Sequence, residues 1–167
     1  MGDGYSFRCK KCGYSFMANL GVGFFFPQVY RDTVNAMKQG DYGEKPKRFF
    51  EENPKGAITC DSVLVKCKDC GNYFDVPELK MFTPKPGYHP PGPKPRGSWS
   101  GPFPSEEIEY VGSEIWDNYD YYDQYEHRCP DCNGTVEFIP YEDIKNGNII
   151  CGKCGERMEM EGFIFWD

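Results

Sequence analysis

Long apolar runs are missing from this 167-residue chain. No stretch approaches the ~20 residues that carry a helix through a bilayer, so a helical membrane span is excluded. Histidine is scarce, with only His89 and His127, and a site built on several imidazoles is excluded with it. No Ser/His/Asp set, catalytic carboxylate pair or nucleotide fingerprint rises above background. Gly21 and Gly23 lack the Lys-Ser/Thr and the buried strand that a phosphate loop needs. Apolar residues reach 39%, short of the ~45–50% of ordinary globular chains. Cores that thin need a staple, either a metal or disulfides. No apolar secretory segment follows Met1 and the cysteines number nine. Both points argue against disulfides and for a cytoplasmic location.

Cations are missing from one stretch altogether. Ser105 to His127 holds eight acids and no Lys or Arg, together with Tyr110, Trp116, Tyr119, Tyr121, Tyr122 and Tyr125. Such charge favours disorder, but the aromatics argue for ordered irregular structure, with an acidic-aromatic surface for a basic partner as the functional alternative. The net charge of −7 is uneven: residues 1–83 carry 12 Lys/Arg and 10 Asp/Glu, whereas residues 105–167 carry 4 and 16. Nucleic-acid affinity rests largely on cations that displace phosphate counterions. The acidic C-terminal half is therefore a poor nucleic-acid binder. Lys10, Lys11, Arg31, Lys47 and Arg48 keep that function open for the first half.

What the chain does have is cysteine in pairs. Eight of its nine cysteines form Cys-x-x-Cys steps: Cys9/Cys12, Cys67/Cys70, Cys129/Cys132 and Cys151/Cys154. One such step grips a metal ion from a single turn, and two steps complete a tetrahedral site, so the chain is expected to hold two metal ions. Gly13, Gly71 and Gly155 follow three of the steps and Asn133 the fourth. These residues tolerate the left-handed backbone that lets following amides point back at the sulfurs. Redox catalysis would need a low-pKa cysteine at a helix start in a βαβ setting, which is absent here. Cys60 stands alone and reads as a small buried hydrophobe. His127, two residues before Cys129, reads as a solvated edge residue.

Between the steps, Gln28–Lys38 reads as a helix with Pro27 in its first turn, Gly40 at its end, and Val29, Tyr30, Thr33, Val34 and Met37 on one face. Lys45–Asn53 reads as a shorter helix anchored by Phe49 and Phe50. Ala57–Lys66 reads as a strand that delivers Cys67. Phe24, Phe25 and Phe26 read as a core wedge. Val136 and Phe138 alternate in one strand, Met158 and Met160 in a second, and Phe163 and Phe165 in a third after a break at Gly162. Together these predict a small antiparallel sheet in the second half. Residues 84–104, with eight prolines and four glycines, read as an extended linker.

The segments Cys9-Lys-Lys-Cys-Gly13, Cys67-Lys-Asp-Cys-Gly71, Cys129-Pro-Asp-Cys132 and Cys151-Gly-Lys-Cys-Gly155 resemble the zinc-ribbon, or rubredoxin-like, group. The layout is also similar to small bacterial proteins with paired CxxC ribbons, a similarity that supplies no activity. The resemblance implies that neighbouring steps share an ion. Cys9, Cys12, Cys67 and Cys70 would form one site and Cys129, Cys132, Cys151 and Cys154 the other. The 18 residues between Cys132 and Cys151 suit an ordinary ribbon, and the 54 between Cys12 and Cys67 imply an insert. The expected fold is small, metal-bound and β-rich (α+β). Residues 1–83 would be a zinc ribbon with a helical insert at about 19–60, followed by the linker 84–104. Residues 105–167 would hold the acidic aromatic segment and a second ribbon. Two zinc ions per chain are expected, with iron the alternative for a four-thiolate set. Closed four-thiolate sites leave no coordination position for hydrolysis. The functional expectation is a non-enzymatic protein-interaction or adaptor module. A rubredoxin-like iron electron carrier and a nucleic-acid ribbon acting through the first half are the alternatives.

Overall fold

The computed structural model describes residues 2–23, 26–90 and 114–166, the side chains of Phe26 and Pro27 excepted. Phe24, Phe25, the linker from residue 91 and residues 105–113 of the acidic stretch lie outside the described residues. In chain order the elements are β1 (Gly2–Arg8), β2 (Ser15–Leu20), α1 (Phe26–Gln39), α2 (Glu44–Glu52), β3 (Ala57–Ile58), β4 (Ser62–Cys67), β5 (Tyr73–Pro77), β6 (Lys80–Pro84), α3 (Glu114–Asn118), β7 (Tyr119–Gln124), β8 (Val136–Phe138), α4 (Tyr141–Lys145) and β9 (Glu159–Trp166). No helix among them is long and apolar enough to cross a membrane.

Two units emerge, and neither follows chain order. The first is assembled from residues 1–24, 61–78 and 126–167; the second from 25–60 and 79–125. The expected division lay at 83 and 104. Most of the insert between the first two cysteine steps, the start of the linker and residues 114–125 of the acidic stretch belong to one unit. All four cysteine steps belong to the other.

The first unit has two three-stranded antiparallel sheets, ordered β2-β1-β9 and β5-β4-β8. Both feed one core, in which Phe7, Ala18 and Leu20 from one sheet meet Leu64 and Tyr73 from the other, with Ile144, Ile149 and Met158. The expected three-stranded sheet in the second half does not form, because β8 pairs with β4 and β9 with β1. Nor does Gly162 end a strand. Ser6 faces Gly162 while Phe7 faces Met160, so Glu161 is the extra residue of a bulge, and β9 runs on through it. Gly2 and Gly4 of β1 make room for this pairing: a Cβ on Gly4 would lie 2.5 Å from Ile164 Cγ1, and one on Gly2 2.5 Å from the Trp166 ring.

The second unit packs two helices with the sheet β3-β6-β7. In α1, Tyr30, Val34 and Met37 recur at helical spacing and are buried. Val29 is not on that face and is exposed, because it precedes Tyr30 by a rotation of ~100°. Gly40, at φ 95°, ends the helix, and its amide bonds back to Ala36 O at 3.1 Å. Phe49 and Phe50 anchor α2 as expected. The strand expected over 57–66 is two strands. Thr59 N–H bonds to Lys80 O at 2.9 Å and Ser62 N–H to Gly21 O at 2.9 Å, so the backbone changes partners between them. The acidic stretch is more regular than expected, since α3 and β7 occupy its described part. Ile115 and Tyr119 pack there with Ala57 and Phe82.

Leu64 is fully buried in the core that both sheets of the first unit share. Leu64→Ala should cost about 2–5 kcal/mol in urea unfolding. Val63→Ala, on the half-buried neighbour, should cost less than about 1.5 kcal/mol, as its side chain leaves little cavity.

Candidate metal centres

One backbone device is used four times. The residue before each Cys-x-x-Cys step pairs with the residue seven further on: Arg8 with Ser15, Lys66 with Tyr73, Arg128 with Thr135 and Ile150 with Arg157. Each step is therefore the tip of a hairpin. Inside each tip the first cysteine's carbonyl accepts from the amide four residues on, at 2.9 Å from Gly13, 3.1 Å from Gly71, 2.8 Å from Asn133 and 2.9 Å from Gly155. Those four residues are the left-handed ones, at φ 76°, 72°, 59° and 76°, as the sequence implied. The amide of Cys70 lies 3.4 Å from Cys67 Sγ, an N–H···S bond that favours the thiolate.

The tips combine in a nested order. Cys9, Cys12, Cys151 and Cys154 form one group and Cys67, Cys70, Cys129 and Cys132 the other, the sulfurs of each group lying within 4.8 Å of one another. This corrects the pairing of neighbouring steps. The cause is strand pairing. The strand entering the first tip, β1, runs antiparallel to β9, which follows the fourth, with Arg8 opposite Glu159. Likewise β4 enters the second tip and β8 follows the third, with Cys67 opposite Val136. Antiparallel neighbours bring those tips to the same sheet end.

The sulfur geometry suits a tetrahedral cation. Sγ atoms are 3.5 Å apart in Cys9–Cys154, Cys12–Cys151 and Cys67–Cys132, and 3.6 Å apart in Cys70–Cys129. Ligands at about 2.3 Å from a central zinc stand about 3.8 Å apart, whereas a disulfide needs about 2.05 Å. All nine cysteines are unbridged. Electrostatics makes the same point. The Cys12 amide lowers the Cys9 thiol to about 7, and the Cys70 amide does the same for Cys67. Cys132 and Cys154 are pushed up to about 12: the amides of Gly134 and Glu156 pull them down, but neighbouring sulfurs and burial outweigh that. Each cluster thus has a thiol that ionises readily and one that resists while its neighbours are anionic. A bound cation removes that conflict.

Cys60 is buried, lies outside both groups, and its thiol sits 3.5 Å from Thr33 Oγ1. His89 is exposed. His127 is not the solvated edge residue expected. It is partly buried, its Nε2 is 2.8 Å from Pro77 O, and burial lowers its pKa. The five cations considered for nucleic acid are divided between the units. Lys10 pairs with Glu159 at 2.6 Å and Lys11 with Glu156 at 3.6 Å, while Arg31 pairs with Asp32. Exposed pairs like these add little stability, but they offset the charge a phosphate would need.

Sequence reasoning missed the residues that pack one centre against the other. Gly152 and Lys153, inside the fourth tip, meet Gly71 and the Cys70 carbonyl of the second. Their only sequence signal is a glycine between two cysteines. No protein-family model, curated protein or solved structure matches the chain. The zinc-ribbon resemblance therefore rests on the hairpin tips themselves.

Cobalt, whose thiolate charge-transfer bands report four-sulfur sites, tests the nesting. At saturating cobalt, Cys9→Ser/Cys151→Ser should keep about half of the wild-type band, because one four-cysteine group is intact. Cys9→Ser/Cys67→Ser should lose the four-thiolate spectrum of both. Neighbour pairing requires the reverse result.

Proposed function

We propose that this is a non-enzymatic zinc protein whose two four-cysteine centres are structural, and that it serves as an interaction or adaptor module in a reducing compartment such as the cytoplasm. The observation that carries the metal reading is the fourfold repetition of one hairpin tip, gathered two by two into clusters with tetrahedral sulfur spacing. Cys9, Cys12, Cys151 and Cys154 would hold one ion, and Cys67, Cys70, Cys129 and Cys132 the other. Four protein thiolates fill a tetrahedral ion and leave no place for a reacting water, which supports a structural role over hydrolysis. Iron fits the same donor set, and colour separates the two.

The interaction reading is supported by exposed apolar side chains on each unit. On β9, Phe163, Ile164 and Phe165 are 47%, 51% and 65% exposed, and on the second unit Trp116 and Tyr121 are 60% and 58% exposed. Apolar side chains gathered on one strand in this way mark contact surfaces in soluble proteins.

Elemental mass spectrometry of the reduced protein should find two zinc ions per chain, with no visible absorption. A red preparation would transfer the reading to iron, and a metal-free native protein would sink it. Because every ligand must be a thiolate, acid competes with the metal. Lowering the pH from 7 towards 4 should release both ions and unfold the first unit, and a strong chelator at neutral pH should do the same. For the interaction reading, Phe163→Ser/Phe165→Ser should leave metal content unchanged and stability within about 1 kcal/mol, as expected for exposed sites. The same change should abolish association with the partner found by cross-linking to wild type. An unaltered set of cross-linked proteins would count against this surface.

A further inference from the structure

The two centres are in direct contact through their ligand loops. Gly71 is the left-handed residue of the second tip, and Gly152 lies between the two cysteines of the fourth. A Cβ on Gly71 would lie 2.1 Å from the Gly152 oxygen, and one on Gly152 2.0 Å from the Gly71 oxygen. No side chain fits between these backbones. Lys153, also within the fourth tip, donates its ammonium to the Cys70 carbonyl at 2.6 Å. Tyr73, just past the second tip, donates its amide to Tyr14 Oη at 2.8 Å and its hydroxyl to the Ile150 carbonyl at 2.7 Å. Tyr14 follows the first tip and Ile150 precedes the fourth. The rings of Phe16 and Tyr73 stack at 4.6 Å, with Tyr14 at 6.1 Å from Phe16. The second tip, from one centre, is thus bonded to both tips of the other.

We infer that the two centres load as one unit, positively coupled through the Gly71–Gly152 contact and Lys153. The inference rests on the metal-binding reading proposed above. Ordering a ligand loop costs conformational entropy, and a metal ion that binds it must offset that cost. The first ion fixes two tips. One of them braces a tip of the other centre through the bonds just described. The second ion then meets a loop that is already ordered, and it binds more tightly without any new contact to itself. Like charge opposes this, since a divalent ion with four thiolates carries two net negative charges. Lys153 places a cation at the junction, 5.5 Å from the Tyr14 ring centroid, and offsets part of that repulsion. The consequence is a chain that holds two ions or none more often than one. Its first unit, with the exposed β9 strand, is then present or absent according to metal supply.

Native mass spectrometry tests this on the full reduced chain, equilibrated with chelator-buffered zinc to a mean of one ion per chain. Independent equal sites leave half of the molecules singly loaded, and independent unequal sites leave more. A tenfold coupling leaves about one quarter. The expected result is about a quarter or less for wild type. Gly152→Ala and Lys153→Ala keep all eight ligands and should raise the singly loaded fraction to half or more. Lys153→Ala changes only an exposed side chain, so it stands if Gly152→Ala fails to fold. Wild type with two ions at saturation but half or more singly loaded at the midpoint overturns the coupling and leaves the metal reading intact. A wild-type distribution retained by both variants also overturns it. No ion at saturation overturns both readings.

Discussion

Four thiolates can sit within a few ångströms of one another only if a cation lies among them or protons stay on. Most of the first unit depends on that constraint. The Cys9 and Cys67 thiols are lowered by amides of their own tips, while Cys132 and Cys154 are raised among their neighbours. A cation among the sulfurs would relieve that conflict in either cluster. The core they support is small, with aromatics such as Phe7 and Tyr73 and a few aliphatics such as Leu64 and Ile149. Small cores of this kind contribute little margin over chain entropy. Metal ions held by both clusters would add their binding free energy to that margin.

Nesting has a topological consequence. The first and last tips share one centre and the two middle tips the other. The chain thus leaves the first unit twice and returns twice, and the two excursions build the second unit. Each departure begins and ends at strands held by the centres: β2 and β4 flank the first excursion, and β5 and the third tip flank the second. The second unit supplies its own cohesion through Phe49 and Phe50 on α2, the face of α1, and Phe82 beneath Trp116 and Tyr121.

Local chemistry was legible in the chain and long-range pairing was not. The left-handed residue after each tip could be read because Gly or Asn is what that backbone tolerates. The two helices could be read from Pro27, Gly40, Pro46 and Pro54, and from the spacing of Tyr30, Val34 and Met37. The β1–β2 hairpin, β5, β6 and β7 were not read, because polar or glycine residues interrupt their apolar alternation, as in Gly2-Asp-Gly-Tyr-Ser. His127 was misjudged for a similar reason: its ring meets the carbonyl of Pro77, fifty residues away in the chain. The bulge at Glu161 hid the continuity of β9, since it shifts the alternation that marks a strand.

The sequence by itself determined the cysteine steps and the shape of each tip. Eight cysteines at two-residue spacing, each step followed at once by Gly or Asn, specify four like hairpin tips, because the tip geometry is closed by hydrogen bonds within six residues. Which tips come together was decided only by tertiary structure. The 18-residue spacing of the last two steps suggested a local ribbon, but spacing only limits reach. It does not choose between partners that are all within reach. The choice fell to β1 with β9 and β4 with β8, whose antiparallel registers bring the outer tips together and the inner tips together. That same choice set Gly152 against Gly71, a contact between residues far apart in the chain that no local pattern encodes.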